Sequence, residues 1–246
     1  MSSPVKLYQQ EMHKNVGYFA NWLPGNALSL GDVGVWEAGR FQKLTTLKDL
    51  GVPYAAGVAG SPQTLDYSST SDTNVSTNAG ATAGGVAKAE ITVKFSREGA
   101  FLFQAIGVQG VDLASRNDTA MGILQALEQS AWKKEWMVID SLYEATSATI
   151  IVSEDTSSEL VLSANSALPV ASLALADPKL DLTVSSKRGR IVHLVAGSGL
   201  HPLYMCMKIK SSLFGGPSVS PVRGLGGGTA AAQSLARPGL NDLLDS

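Results

Sequence analysis

Three histidines, one cysteine and one adjacent carboxylate pair are the residues with which this chain could do chemistry. His13, His193 and His201 lie in unrelated contexts, and no further ligand follows any of them at helical or strand spacing. His193, inside the apolar run Ile191-Val-His-Leu-Val195, reads as a core or interface histidine. Glu154 and Asp155 are neighbours, and neighbours on a strand point to opposite faces, so they read as turn residues rather than an acid–base pair. Cys206, between Met205 and Met207, reads as a buried, inert thiol. The run Gly31-Asp-Val-Gly34 lacks the Lys-Ser/Thr of a phosphate loop and the spacing of a dinucleotide fingerprint. No G-x-S-x-G, H-E-x-x-H or C-x-x-C occurs. The expectation is a protein that is not an enzyme, with no catalytic residue, metal site or cofactor.

Composition narrows the remaining classes. Charged residues are 16% of the 246, well below the usual quarter, and 19 Lys+Arg nearly cancel 21 Asp+Glu. That argues against nucleic acid as a partner, because such affinity comes largely from neutralising phosphates. No run approaches the roughly 18 apolar residues of a spanning helix. Met1 to Glu11 is too polar for the apolar segment of a signal peptide, so a cytoplasmic location is expected, which a single thiol fits.

The elements that must position any site alternate between clear and faint. Pro4 suits a first helical turn, Ser2 or Ser3 could cap it, and Tyr8, Met12, Val16 and Phe19 form its apolar stripe. Lys6, His13 and Lys14 fall on its polar face, with Lys6 and Lys14 the candidates for touching anionic lipid. Residues 28–50 read as a small β unit with a turn at Glu37-Ala-Gly39. From Gly57 to Gly85 the chain is rich in Ser, Thr, Ala and Gly, a long loop or weak edge strands. Then comes strict alternation: Ala87, Ala89, Ile91, Val93 and Phe95 on one face, Lys88 to Ser96 on the other. With a turn at Ser96-Arg-Glu-Gly99 and a return over 100–108, this reads as a β-hairpin. A helix capped by Ser115 or Asn117 follows, burying Ala120, Ile123, Leu124, Leu127 and Ala131. Strands are expected at 137–143, 148–153, 159–164, 180–186 and 190–196. In a last strand Leu203, Met205, Met207 and Ile209 alternate with Tyr204, Cys206, Lys208 and Lys210.

From Gly215 the composition is that of a flexible linker, ending in a leucine-bearing tail. The predicted class is α+β: a twisted antiparallel sheet with flanking helices, one domain over 1–214, and a tail over 215–246.

The order of these elements resembles the pore-forming domain of the gasdermin family. The run Trp136-Met-Val-Ile-Asp-Ser-Leu-Tyr-Glu-Ala-Thr-Ser-Ala-Thr-Ile-Ile-Val152 is similar to that domain's strand-turn-strand, and Pro202 to Lys210 to its closing strand. The resemblance covers roughly residues 4–212. It implies a protein held inactive until proteolysis, which then oligomerises into a membrane β-barrel pore and kills the cell, as in defence against phage. Its partners would be membrane lipid, further copies of itself and an activating protease, and it would move to the inner face of the cell membrane. Two regions, about 64–108 and 146–195, would refold into inserting hairpins. Candidate inserting residues are Ala87, Ala89, Ile91, Val93, Phe95, Thr149, Ile151, Leu182 and Val184. Asp at Ile91 or Val93 would then stop leakage. Arg97 and Glu98 are costly at a membrane-crossing tip, so the Ser/Thr/Ala/Gly run is the alternative tip.

Two departures matter. The chain has no cysteine near its start for a lipid, and no large inhibitory domain follows the sheet. The resemblance to short bacterial forms implies that the tail itself inhibits. Arg223, flanked by Gly and exposed in type, is the cleavage candidate, with Arg237 disfavoured by Pro238. Leu235, Leu240, Leu243 and Leu244 would cap the domain. A structural or assembly subunit of virion or secretion-tube type is the alternative function, since Ser/Thr/Ala/Gly-rich strands also polymerise without lipid.

Overall fold

Pro4 opens the first helix where a missing N–H loses no bond, and Gly17 closes it with a left-handed turn at φ +75°. The computed structural model describes residues 4–21, 27–37, 40–69, 71–79, 89–163, 175, 183–196, 200–209 and 235–236. The elements run α1 (Pro4–Val16), β1 (Phe19–Ala20), β2 (Asp32–Glu37), β3 (Arg40–Thr46), β4 (Gln63–Ser68), β5 (Thr73–Ala79), β6 (Ala89–Phe95) and β7 (Phe101–Asp112). Then come α2 (Arg116–Glu128), β8 (Met137–Ala145), β9 (Ser147–Ser153), β10 (Ser158–Ser163), β11 (Thr183–Arg188), β12 (Ile191–Ala196), β13 (Leu200–Ile209) and β14 (Leu235–Ala236). Two helices among many antiparallel strands make an α+β fold, as the sequence predicts. Among the described residues no helix is long and apolar enough to cross a membrane.

Backbone contacts divide the chain into two compact units. The second unit comprises Asn26–Ser61, Gln109–Tyr143 and Leu203–Ser246. Its core gathers Val33, Leu47, Val52, Ile123, Trp132, Val138 and Met207. β2 and β3 form the expected small β unit, while Ala38 and Gly39 of its turn lie outside the described residues. Ser115 is the N-cap of α2, its hydroxyl accepting from Asp118 N at 3.2 Å. The helix stops at Glu128, so Ala131 is exposed rather than buried, and Ala126 takes its place in the stripe. Asp140 has a fully buried side chain, and Arg116 Nε meets its Oδ2 at 2.7 Å. In β13 the alternation of residue types is not one of burial. Leu203 through Met207 are all buried, because both faces of that strand are covered and Tyr204 packs against Trp36 and Phe41.

The first unit comprises Met1–Gly25, Pro62–Val108 and Glu144–Pro202. Tyr8 and Met12 of α1 are buried as expected, but Phe19 is not helical. The turn at Gly17 carries it into β1, where it stacks on His13 with ring centroids 4.6 Å apart. Gln9 fixes that return: its amide donates to Ala20 O and its Oε1 accepts from Ala20 N. Part of the Ser/Thr-rich stretch, read as loop or edge strand, forms β4 and β5. The largest correction concerns the hairpin expected over 87–108. β6 and β7 do not pair with each other: β6 pairs β5 and β10, whereas β7 pairs β4 and β9. Ser96 to Gly99 is a corner between two sheets. Both sheets turn apolar faces onto one core that includes Ile91, Val93, Phe95, Leu102, Ile151, Leu160 and Leu162.

Candidate functional site: two bent hairpins

The two regions expected to refold, 64–108 and 146–195, lie within the first unit. Their strands appear in the same order on both sides of the corner. One sheet runs β5-β6-β10-β11, and the other contains β4-β7-β9-β12. Since β4 leads into β5 and β6 into β7, strands 63–79 and 89–108 already form one antiparallel hairpin with a bend in it. Strands 147–163 and 183–196 form a second. The connection at the far end of the first is 80–88, within the Ser/Thr/Ala/Gly run that the sequence offers as the alternative tip.

Register is kept through the bend. The ladder between the inner strands stops at Phe95↔Ser158 and resumes at Phe101↔Val152, so residues 96–100 face residues 153–157, equal in number. On the outer side of the first hairpin, 69–72 lie opposite 96–101, an even difference. On the second, the ladder shifts register between Glu159↔Arg188 and Leu160↔Ser186; from Leu160↔Ser186 to Ser153↔Ile191, with that shift included, 187–190 stand against 154–159, again an even difference. An even difference leaves every side chain on its own face, whereas an odd one would turn the strand over.

Both corners are tied by polar contacts. In the first, Arg97 Nε meets Asp72 Oδ2 at 3.0 Å and Arg97 Nη2 meets Glu11 Oε1 of α1 at 2.7 Å. Ser69 Oγ accepts from Phe101 N at 3.1 Å, and Asp72 O accepts from Ser96 N at 3.0 Å. Gly99, at φ +75°, passes so close to α1 that a Cβ there would come within 2.4 Å of Leu7 Cβ. In the second corner Asp155 Oδ2 accepts from Arg190 N at 2.7 Å, and Glu154 N donates to Arg190 O. Glu154 and Asp155 are therefore turn residues, as expected. A polar cleft of about 440 Å³ opens beside the corners, lined by Asp72, Lys94, Ser96, Ser158, Glu159 and Arg188.

The Arg97 hydrogen bond, followed by that from Ser71, holds the Asp72 carboxyl below the usual carboxylate range. A carboxyl depressed in the fold contributes stability that is present above its unfolded pKa and lost as pH falls through its folded one. Acid should thus loosen the first corner. The expected result is an acid limb in a pH titration of hydrogen exchange at Phe101, which Asp72→Asn flattens and Asp118→Asn does not.

The candidate residues divide by place. Ile91, Val93, Phe95 and Ile151 are buried in the first unit's core, with Val184 packed on it; Thr149 is buried, its hydroxyl donating to Leu175 O at 2.8 Å. Lys6 is half-buried and Lys14 exposed, both on α1. Leu235 pairs with Ile209, setting β14 against β13 in the second unit. Ala87, Leu182, Arg223, Leu240, Leu243 and Leu244 lie outside the described residues, as does the side chain of Ala89. Cys206 is fully buried, and that burial, with Asp140 nearby, pushes its thiol up and away from reactivity. Among the described residues no group of three His, Cys, Asp or Glu could hold a metal.

The chain is similar to a solved membrane pore. The cryo-electron microscopy structure of the gasdermin A3 membrane pore matches at 11% identity, over 87% of this chain and 92% of that one, with a TM-score of 0.36. No protein-family model matches the chain, and no curated protein does. The corner contacts escaped sequence reading. Ser96-Arg-Glu-Gly99 signalled a turn correctly, but nothing local tells a hairpin turn from a corner between sheets.

Proposed function

We propose that this chain is an autoinhibited pore former whose two bent hairpins straighten, insert into a membrane and assemble with those of other copies into a β-barrel. The observation that supports this is the inner ladder, whose register is the same on both sides of the corners. Straightening needs no unzipping of the inner strands, only an opening of the corner segments.

Straightening also sorts the side chains. In the bent form the shared core takes Ile91, Val93 and Phe95 from β6 but Leu102 from β7, which alternate in opposite phase. In a straight strand, Phe101, Phe103 and Ala105 would fall on the same face as Ile91, Val93 and Phe95. Their partners Leu162, Leu160, Val152 and Ile150 would extend that face across the sheet. The opposite face would carry Thr92, Lys94, Gln104, Thr149 and Glu159. That second face would also carry Leu102, Ile151 and Val161, so a continuous apolar face stands against a mixed one, the arrangement a strand between lipid and a water-filled lumen can use.

Charges on the apolar face would occur at the corners, at Arg97, Glu154 and Arg190. These residues set the headgroup level, so the tip halves cross the bilayer. The seven residues of β6, with those of the connecting segment, supply the roughly 9–11 that a tilted strand needs. A closed ring of hairpins would pair the outer strands β5 and β11 and satisfy their backbone groups.

The tail is the inhibitor in this reading. Leu235 already adds to the edge of β13, and protease cutting at Arg223 removes it. The protein then leaves the cytoplasm for the inner face of the cell membrane, and the pore kills the cell, a use that fits defence against phage. The test is dye release from acidic liposomes. Full-length protein should not leak, and a chain ending at Arg223 should. A truncated chain that stays monomeric and leaves liposomes intact overturns the proposal.

A further inference from the structure

We propose that Arg97 is a latch residue: it holds α1 against the first corner, and its release from Glu11 and Asp72 frees that corner to open. The proposal rests on the straightening described above for its consequence, but the latch itself is a property of the bent form. Leu7 and Tyr8 each neighbour Glu11 on α1, at spacings of four and three, and all three meet the corner. Leu7 lies against Gly99, Tyr8 packs edge-on to Phe101 with centroids 5.0 Å apart, and Glu11 meets Arg97 at 2.7 Å. The helix is thus seated on a stretch of five residues, 97 to 101, and Arg97 is the member that also reaches across to the outer strand through Asp72.

The guanidinium fork explains why the residue is arginine. Nε and Nη2 point to two carboxylates on different elements, which one ammonium group could not bridge in the same plane. The pair is also specific to one state. In a straight hairpin Arg97 takes the face of Phe95 and Phe101, while Asp72, one residue from Thr73, takes the opposite face. An interaction present in one state and absent in the other biases the equilibrium between them. Arg97 and its partners are only partly buried, with side-chain exposures of 36, 29 and 24% for Arg97, Glu11 and Asp72. Water therefore screens the contacts, and the latch is weak enough to release.

Hydrogen exchange on the full-length chain tests this, with Arg97→Gln, Arg97→Lys, Glu11→Gln and Asp72→Asn compared against Lys94→Gln. The Lys94–Glu159 pair lies along a ladder and spans no corner. The expected result for Arg97→Gln and Arg97→Lys is exchange about tenfold faster at residues 8–12 and 99–102, with 137–140 unchanged. Glu11→Gln and Asp72→Asn should each give part of that effect, and Lys94→Gln none. Unchanged exchange in all four overturns the latch. If the Arg97 variants unfold, faster local exchange in the two carboxylate variants still supports it, and no change in either overturns it. Liposome leakage by the same variants, each ended at Arg223, reads the other question. Faster exchange with faster leakage supports both ideas. Faster exchange with no leakage from any truncated chain keeps the latch and overturns the pore.

Discussion

Val75→Lys is expected to fold like the natural chain and to abolish leakage. Val75 pairs with Val93 on β5, on the face that straightening would turn to lipid, yet it is 38% exposed in the bent form. A lysine on a partly exposed edge strand changes stability by no more than about 0.5 kcal/mol. On the lipid face of a barrel it costs roughly 2–4 kcal/mol near midplane, repeated in every copy of the ring. The companion substitution behaves differently. Val93→Asp places a charge at a site with no exposure and is expected to cost about 3–5 kcal/mol and to unfold the first unit. Asp at Ile91 or Val93 therefore stops leakage for a reason unrelated to lipid. Far-UV circular dichroism with dye release separates the two. A folded Val75→Lys variant that leaks at the natural rate sinks the assignment of this face.

The second large effect lies outside the hairpins. Arg116→Met is expected to lower the stability of the second unit by about 3–5 kcal/mol, because it removes the guanidinium from a carboxylate with no exposed side-chain surface. Arg116 also bonds Ser141 Oγ at 2.8 Å and pairs with Asp112 at 3.3 Å, so a lysine there recovers only part of the loss. Urea denaturation monitored at Trp132 and Trp136 measures it. A midpoint unchanged from the natural chain would show that the Asp140 contact contributes little. Hydrogen exchange in 99–102 of the first unit should remain as it was.

Local patterns in the sequence carried much of the fold. Strict alternation marked β6 and the faces of Glu90 and Lys94, because a half-covered strand must put charge toward water. The Ser115 cap and the small β unit over 32–46 were equally readable, since both depend on contacts a few residues apart. What failed was pairing. Nothing in 89–108 states that its two halves join different sheets, a choice made by partners such as Ser158 and Val152. The Glu11–Arg97 contact spans 86 residues and could not be inferred from either segment alone. β13 misled for another reason. Tyr204 suits a covered or an open face equally, so alternation there carried no information about its burial, whereas Cys206 is buried as its residue type suggests.

The equal lengths of 96–100 and 153–157 bear on how such a protein tolerates change. Surface turns ordinarily accept insertions and deletions freely. Here one residue added to either segment would shift all pairing on one side of the bend and exchange lipid-facing for lumen-facing positions along a whole strand. A drift in length at one corner would have to be matched at the other. Related chains should therefore vary in composition at these corners far more than in length, with gaps and insertions gathering instead in the segments that join β5 to β6 and β10 to β11.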